Sequence, residues 1–210
     1  MFTKIGSIKK HTESLVLPED VKRTIKRLDN ILKNDPHNTA ILLKKAFLLY
    51  CNQSDGQAID ILQDIIQYDN GCIDAYVWLA ELYLYHWADA EQAEAVLNQA
   101  ISYGLVRADI YFLLACAYQK QRNVLQQLHF LRLSLALEPS WILPRLNLIE
   151  VLIDQKDIVS AKQELLTLKQ YSDAASVNEK MHNYYETFIT GRIITDTTRQ
   201  LLQTYEQALE

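Results

Sequence analysis

Apolar residues recur through the middle of the chain at helical rather than strand spacing. The segments LLKKAFLLY (42–50), YVWLAELYL (76–84), YFLLACAYQ (111–119) and RLNLIEVLI (145–153) align on Ala46, Ala80, Ala115 and Ile149. These positions are 34, 35 and 34 residues apart. Four residues before the aligned position stand Leu42, Tyr76 and Tyr111, with Arg145 in the fourth segment; three after it stand Leu49, Tyr83, Tyr118 and Leu152. Spacings of three and four put these residues on one helical face. Ala58 and Ala161 follow twelve residues after the aligned position, Gln127 holds that place in the third segment, and Ala93 arrives one residue late in the second. Leu62, Leu97, Leu131 and Leu165 come four residues further on. The pattern predicts a unit of helix A, tight turn and helix B, with small residues where two helix backbones approach closely.

The punctuation agrees. Asp35-Pro36 and Glu138-Pro139 close B helices, because proline cannot continue a helix, and Gly71 and Gly104 mark the other two junctions. Gln53, Trp87, Arg122 and Lys156 occupy the A–B turns. Asn38, Ser140 and Asp157 are expected N-caps, and Asp89 with Gln92 reads as a capping-box variant. Residues 19–34 predict a lone helix with Leu28, Ile31 and Leu32 packing on the first repeat. Pro144 falls early in the fourth A helix, where only the first turn accommodates it. The expected organisation is a flexible tail over 1–17 and a single solenoid over 18–210. The solenoid comprises a packing helix at 18–36, repeats at 39–71, 73–105, 108–139 and 141–172, and a closing helix pair at 176–210. That pair is marked by Ser176-x-x-Glu179, Gly191 and Thr195, with Arg199, Gln203 and Gln207 on a polar outer face, as a terminal cap requires.

The 34-residue unit resembles the tetratricopeptide repeat, whose helix A carries a W-x-x-L-G-x-x-Y pattern. Y76-V-W-L79-A80-E-L-Y83 and Y111-F-L-L114-A115-C-A-Y118, with Pro139, carry the resemblance. It implies an all-α fold, a right-handed α-solenoid with capping helices, in which A helices line a concave groove that holds partner segments. The groove positions would be Leu43, Phe47 and Tyr50; Val77, Glu81 and Leu84; Phe112, Cys116 and Gln119; and Leu146, Asn147 and Glu150. The family's cationic carboxylate clamp is not expected, since Leu43, Phe47, Val77 and Phe112 stand where its cations would be. The expected groove is an apolar trough with two carboxylates. It suits an amphipathic or extended partner segment, with Glu81 and Glu150 meeting a basic side chain. The protein's own tail, a second copy in a homodimer, or simple packing between curled repeats are the other ways to cover it. Tyr85, His86 and Trp87, at the A–B turn of the second repeat, form a secondary surface of interface-prone aromatics.

Composition narrows the class. Only 5 Gly and 4 Pro occur in 210 residues, too few for a turn-rich β fold, and 49% hydrophobic residues argue against disorder. The net charge of −5 is unevenly spread. Residues 46–106 hold no Lys or Arg but nine acids: Asp55, Asp60, Asp64, Asp69, Asp74, Glu81, Asp89, Glu91 and Glu94. Such a stretch repels phosphate backbones, so no nucleic acid is expected, and it attracts basic protein segments. The basic stripe Lys22, Arg23, Lys26, Arg27 and Lys33 is confined to one helix. No run reaches the ~18 apolar residues of a membrane span, and the first twenty residues hold Lys9, Lys10, His11 and Glu13 where a signal peptide needs an apolar stretch.

Candidate chemistry is sparse. The odd, dispersed cysteines Cys51, Cys72 and Cys116 fit a reducing cytoplasm. No phosphate-cradling glycine loop, zinc-ligand spacing or nucleophile elbow occurs, so neither a cofactor, a metal nor catalysis is expected. Asp60 and Asp64, one turn apart, read as solvated carboxylates. The sequence thus predicts a cytoplasmic protein-interaction module or adaptor. The alternatives are a regulatory or effector docking module and, by likeness of architecture alone, a tetratricopeptide-type chaperone of a bacterial secretion system.

Overall fold

The computed structural model describes residues 19–172 and Gln207. The expected tail over 1–17 and the helix pair over 176–210 lie outside the described residues, Gln207 apart. The described segment is all-helical: α1 Glu19–Leu32, α2 Thr39–Cys51, α3 Asp55–Tyr68, α4 Ile73–Glu81, α5 Ala90–Ser102, α6 Ala108–Lys120, α7 Val124–Leu137, α8 Ile142–Asp154 and α9 Ile158–Ser172. A π-helical turn, Leu82–His86, continues α4. No described helix is long and apolar enough to cross a membrane.

Contacts divide the chain into two compact units. Among the described residues, one holds 19–106 together with Cys116–Gln121; the other holds Arg107–Ala115 and 122–172. In the first unit α1 packs on α2, α2 on α3, α3 on α4 and α4 on α5. Its core follows the repeat pattern: Ala46, Leu49, Ala58, Leu62, Tyr76, Ala80, Tyr83, Ala93 and Leu97 are all buried. In α1 the packing stripe runs through Leu28, which is buried, and Leu32, which is half-buried; Ile31 is 46% exposed. The expectation for Ile31 fails because it stands 100° round the helix from Leu32 and off that stripe.

In the second unit α7 packs on α8 and α8 on α9, around buried Ala115, Leu131, Ile149, Leu152, Ala161 and Leu165. Here the core tolerates two polar substitutes, Gln127 and Arg145. Arg145 takes the place held by Leu42, Tyr76 and Tyr111 in the other repeats. Its guanidinium pairs with Glu164 and donates from Nη2 to the Pro139 carbonyl at 2.6 Å, while its Cζ lies 5.4 Å from the Tyr171 ring centroid. A buried arginine is tolerable only with such partners.

Side-chain caps form where the chain turns into a helix. Asn38 accepts from Ile41 N (3.1 Å), Asp89 from Gln92 N (3.0 Å) and Asp157 from Ser160 N (3.2 Å), and Asn123 adds an unforeseen cap on Gln126 N (3.3 Å). Ser140 is not a cap: α8 begins at Ile142 with Trp141 in the cap position and no side-chain bond. Pro144 falls in the first turn of α8, where no backbone partner is lost.

The A–B turns share one device. Gln53, Ala88, Arg122 and Lys156 have φ of 59°, 56°, 59° and 61°, and they are 35, 34 and 34 residues apart. Each is a left-handed residue that lets the chain reverse at a helix end. Ser54 N bonds to the Leu49 carbonyl and Asp157 N to the Leu152 carbonyl, both at 2.9 Å, which closes the Schellman pattern. In the second repeat the left-handed residue is Ala88, not Trp87. The π turn inserts one residue, so Trp87 N reaches Leu82 O (3.1 Å) and Asp89 N reaches Tyr83 O (2.8 Å). That insertion also accounts for the late arrival of Ala93.

Left-handed backbone costs an L-residue about 1–2 kcal/mol that glycine avoids, while glycine loosens the unfolded chain by about 0.4–1 kcal/mol. Lys156→Gly is therefore expected to be at least as stable as the parent in urea unfolding, and Lys156→Val less stable by about 1–2 kcal/mol. Glu164→Ala, which strands the Arg145 charge, is expected to cost roughly 2–3 kcal/mol. Arg145→Leu strands only a part-exposed carboxylate and should cost less; a reversed order in paired melts contradicts the assigned ion pair.

Candidate functional site

In the first unit, α2 presents Leu43, Phe47 and Tyr50, all half-buried, at successive turns of one face. Phe47 tilts against Trp78 with ring centroids 5.8 Å apart. From α4 and its π turn come Val77, Glu81 and Leu84. Val77 and Leu84 are buried and Glu81 is half-buried. On α6, Cys116 is buried and Gln119 exposed. In the second unit, Phe112 is buried against Trp141 (5.0 Å between centroids) and Leu146 is buried, while Asn147 and Glu150 are half-buried. Five of the expected apolar groove positions are therefore interior. What solvent meets is Leu43, Phe47, Tyr50, Glu81 and Gln119 in one unit, and Asn147 and Glu150 in the other.

The electrostatics follow the burial. Burial raises the Tyr50 phenol well above its usual range, and the nearby Glu81, Cys51 and Asp55 add to the effect. Burial pushes the Cys116 thiol up to about 11, against the Tyr85 hydroxyl and Lys120, which lower it; Glu81 raises it slightly. Glu150 is held above the ordinary carboxyl range by burial and then by Asp154. These shifts put Glu81 within electrostatic reach of both Tyr50 and Cys116.

The π turn builds an exposed aromatic corner in the first unit. Leu82, Tyr83 and Leu84 point inward, and the Tyr83 hydroxyl accepts from Gln63 Nε2 at 3.1 Å. The next three residues are exposed: Tyr85 is 55% and Trp87 58% exposed, with His86 between them. His86 Nδ1 lies 2.8 Å from Asp55 Oδ2, and its ring lies 5.0 Å from that of Tyr50. The imidazole thus ties the π turn to α2 and to the first residue of α3. The Lys120 ammonium stands 5.9 Å from the Tyr85 ring centroid, within cation–π range. Neither Asp55 nor Lys120 is marked as a site residue by any motif. The only sequence signal near them is the one-residue offset of Ala93.

Much of the acidic stretch serves the fold. Asp69 accepts from Gly71 N (3.2 Å) and Thr39 Oγ1 (3.4 Å), and Asp89 caps α5. Glu94 accepts from the Tyr118 hydroxyl (2.7 Å) and Gln121 Nε2 (2.6 Å). Asp60, Asp64 and Glu91 remain on exposed helix faces. Among the described residues no group of three His, Cys, Asp or Glu side chains could hold a metal ion.

No protein-family model and no curated protein matches the sequence. Solved structures do resemble it. YrrB, described as a TPR protein with an unusual peptide-binding site, shares 14% identity at a TM-score of 0.62, covering 88% of this chain and 97% of its own. PilF of Pseudomonas aeruginosa shares 15% at 0.67, covering 90% and 83%. MamA (residues 41 to the end) from Desulfovibrio magneticus RS-1 shares 13% at 0.64, covering 75% and 88%. At such identities the likeness is one of fold, and the fold is that of tetratricopeptide-repeat proteins.

The burial of the groove positions has a chemical readout. A thiol held near 11 is almost wholly protonated at pH 8, and its thiolate fraction grows only as pH climbs toward that value. A disulfide reagent such as Ellman's at pH 8 is expected to label exposed Cys51 first and Cys116 only on unfolding. Rapid labelling of Cys116 in the folded protein would contradict its interior placement.

Proposed function

We propose that the chain is a non-enzymatic protein-interaction module acting in the cytoplasm, and that it captures its partner at the π-turn corner of the first unit. One observation carries the reading. Two large aromatic side chains, Tyr85 and Trp87, are more than half exposed on a turn pinned by the His86–Asp55 contact. Fixed, exposed Tyr and Trp side chains lose little entropy on binding and are the commonest anchors at protein interfaces. The half-buried Phe47, Tyr50 and Glu81 extend the surface toward α2. A partner segment with an apolar face for the aromatic rings and a basic residue for Glu81 and Asp55 matches this chemistry. The excess of acid over residues 46–106 would speed the approach of such a partner. YrrB, of the same fold, is described as binding peptide, which supports the class of ligand. The three free thiols of Cys51, Cys72 and Cys116 are compatible with a reducing compartment.

The test compares two double variants as baits in affinity purification from the native source. Tyr85→Ser with Trp87→Ser changes the corner. Leu125→Ser with Val159→Ser removes side chains exposed by 81% and 82% in the other unit. The corner variant is expected to lose the proteins held by the parent while keeping its helical circular dichroism, and the control to retain them. Equal retention by both baits rejects the corner as the capture surface.

A further inference from the structure

We propose that Lys120 is a built-in competitor at this corner, its ammonium occupying the face of Tyr85 that a basic side chain of the partner takes on binding. The inference rests on the reading of the corner as a capture surface and adds how that surface is regulated. Residues 46–106 contain no Lys or Arg, so the cation over Tyr85 is brought from outside the stretch, by the last residue of α6. It lies 5.9 Å from the ring centroid, near the outer limit of a cation–π contact, so the ring attracts a cation but holds this one weakly.

The surroundings favour replacement by a better-placed cation. Asp55 lies beside His86 at 2.8 Å, and Glu81 is half-buried on the helix that leads into the π turn. The buried Cys116 thiol feels the Tyr85 hydroxyl, Lys120 and Glu81 together. An incoming guanidinium aimed at the Tyr85 ring would meet the Lys120 ammonium already over it, one residue along the chain from the His86–Asp55 contact. Lys120 itself is exposed, and its flexible stem can swing into water without uncovering a buried charge. Removing the ammonium should therefore strengthen capture of a basic ligand by relieving both competition and repulsion. A lysine that merely packed on the ring would have the opposite effect, because its loss would loosen the surface.

The probe is a fluorescein-labelled amphipathic peptide of Leu and Arg, with a citrulline-for-arginine twin as the neutral form, read by fluorescence anisotropy. The proteins are the parent, Lys120→Met, and Lys156→Met, which makes the same change in net charge in the other unit. The expected result is binding of the Arg peptide that is about threefold tighter for Lys120→Met than for the other two proteins. The citrulline peptide should show no such gain. Equal affinity for Lys120→Met and Lys156→Met, or weaker binding by Lys120→Met, overturns the competitor role while parental binding leaves the corner itself standing. Failure of all three proteins to bind either peptide overturns both.

Discussion

The structure depends on the alanines at which neighbouring helix backbones close on one another. Helices of nine to fifteen residues are too short to persist alone in water, so each gains its stability from a neighbour. Ala46 and Ala58 in the first repeat, and Ala80 and Ala93 in the second, are almost wholly buried. Leu49, Leu62, Tyr83 and Leu97 then fill the space beside them. The left-handed turn residue follows from the same constraint. Here each A and B helix is joined within a few residues, and a Schellman closure makes that reversal with few orphaned carbonyls.

This spacing is what the sequence displays most openly. Small and large residues recurring every 34 positions point to the helix pairs, their order and most of their caps, because burial acts on each repeat in the same way. Where the sequence misleads, a neighbour outside the local pattern decides the outcome. Ser140 has the right chemistry for a cap, yet Trp141 takes the position and leaves Ser140 outside the helix. Arg145 breaks the apolar pattern, and nothing local announces that Glu164 and the Pro139 carbonyl answer it.

The groove shows the limit more sharply. The α4 segment IDAYVWLAE is apolar on almost every side, so periodicity cannot tell which apolar face a neighbour will cover. Val77 and Leu84 prove to be interior, while Phe47 and Tyr50, with similar chemistry, stay half-open. The aromatic corner was legible as residue types and not as geometry. Tyr85, His86 and Trp87 are visible in the sequence, but their partners Asp55 and Lys120 are 31 and 35 residues away in sequence from His86 and Tyr85. Only folding brings them together.

The π turn has a consequence for how such a protein acquires new contacts. One extra residue within a helix would rotate everything after it by 100° and turn the next core face toward solvent. Here the rotation stops at once. Ala88 reverses the chain and Asp89 starts α5 afresh, so Ala93 and Leu97 still face inward. The repeat therefore absorbs the insertion of a single codon without disturbing its neighbours. The same codon swings an aromatic corner out into solvent, so the array can gain a surface at one turn while the remaining repeats keep their frame.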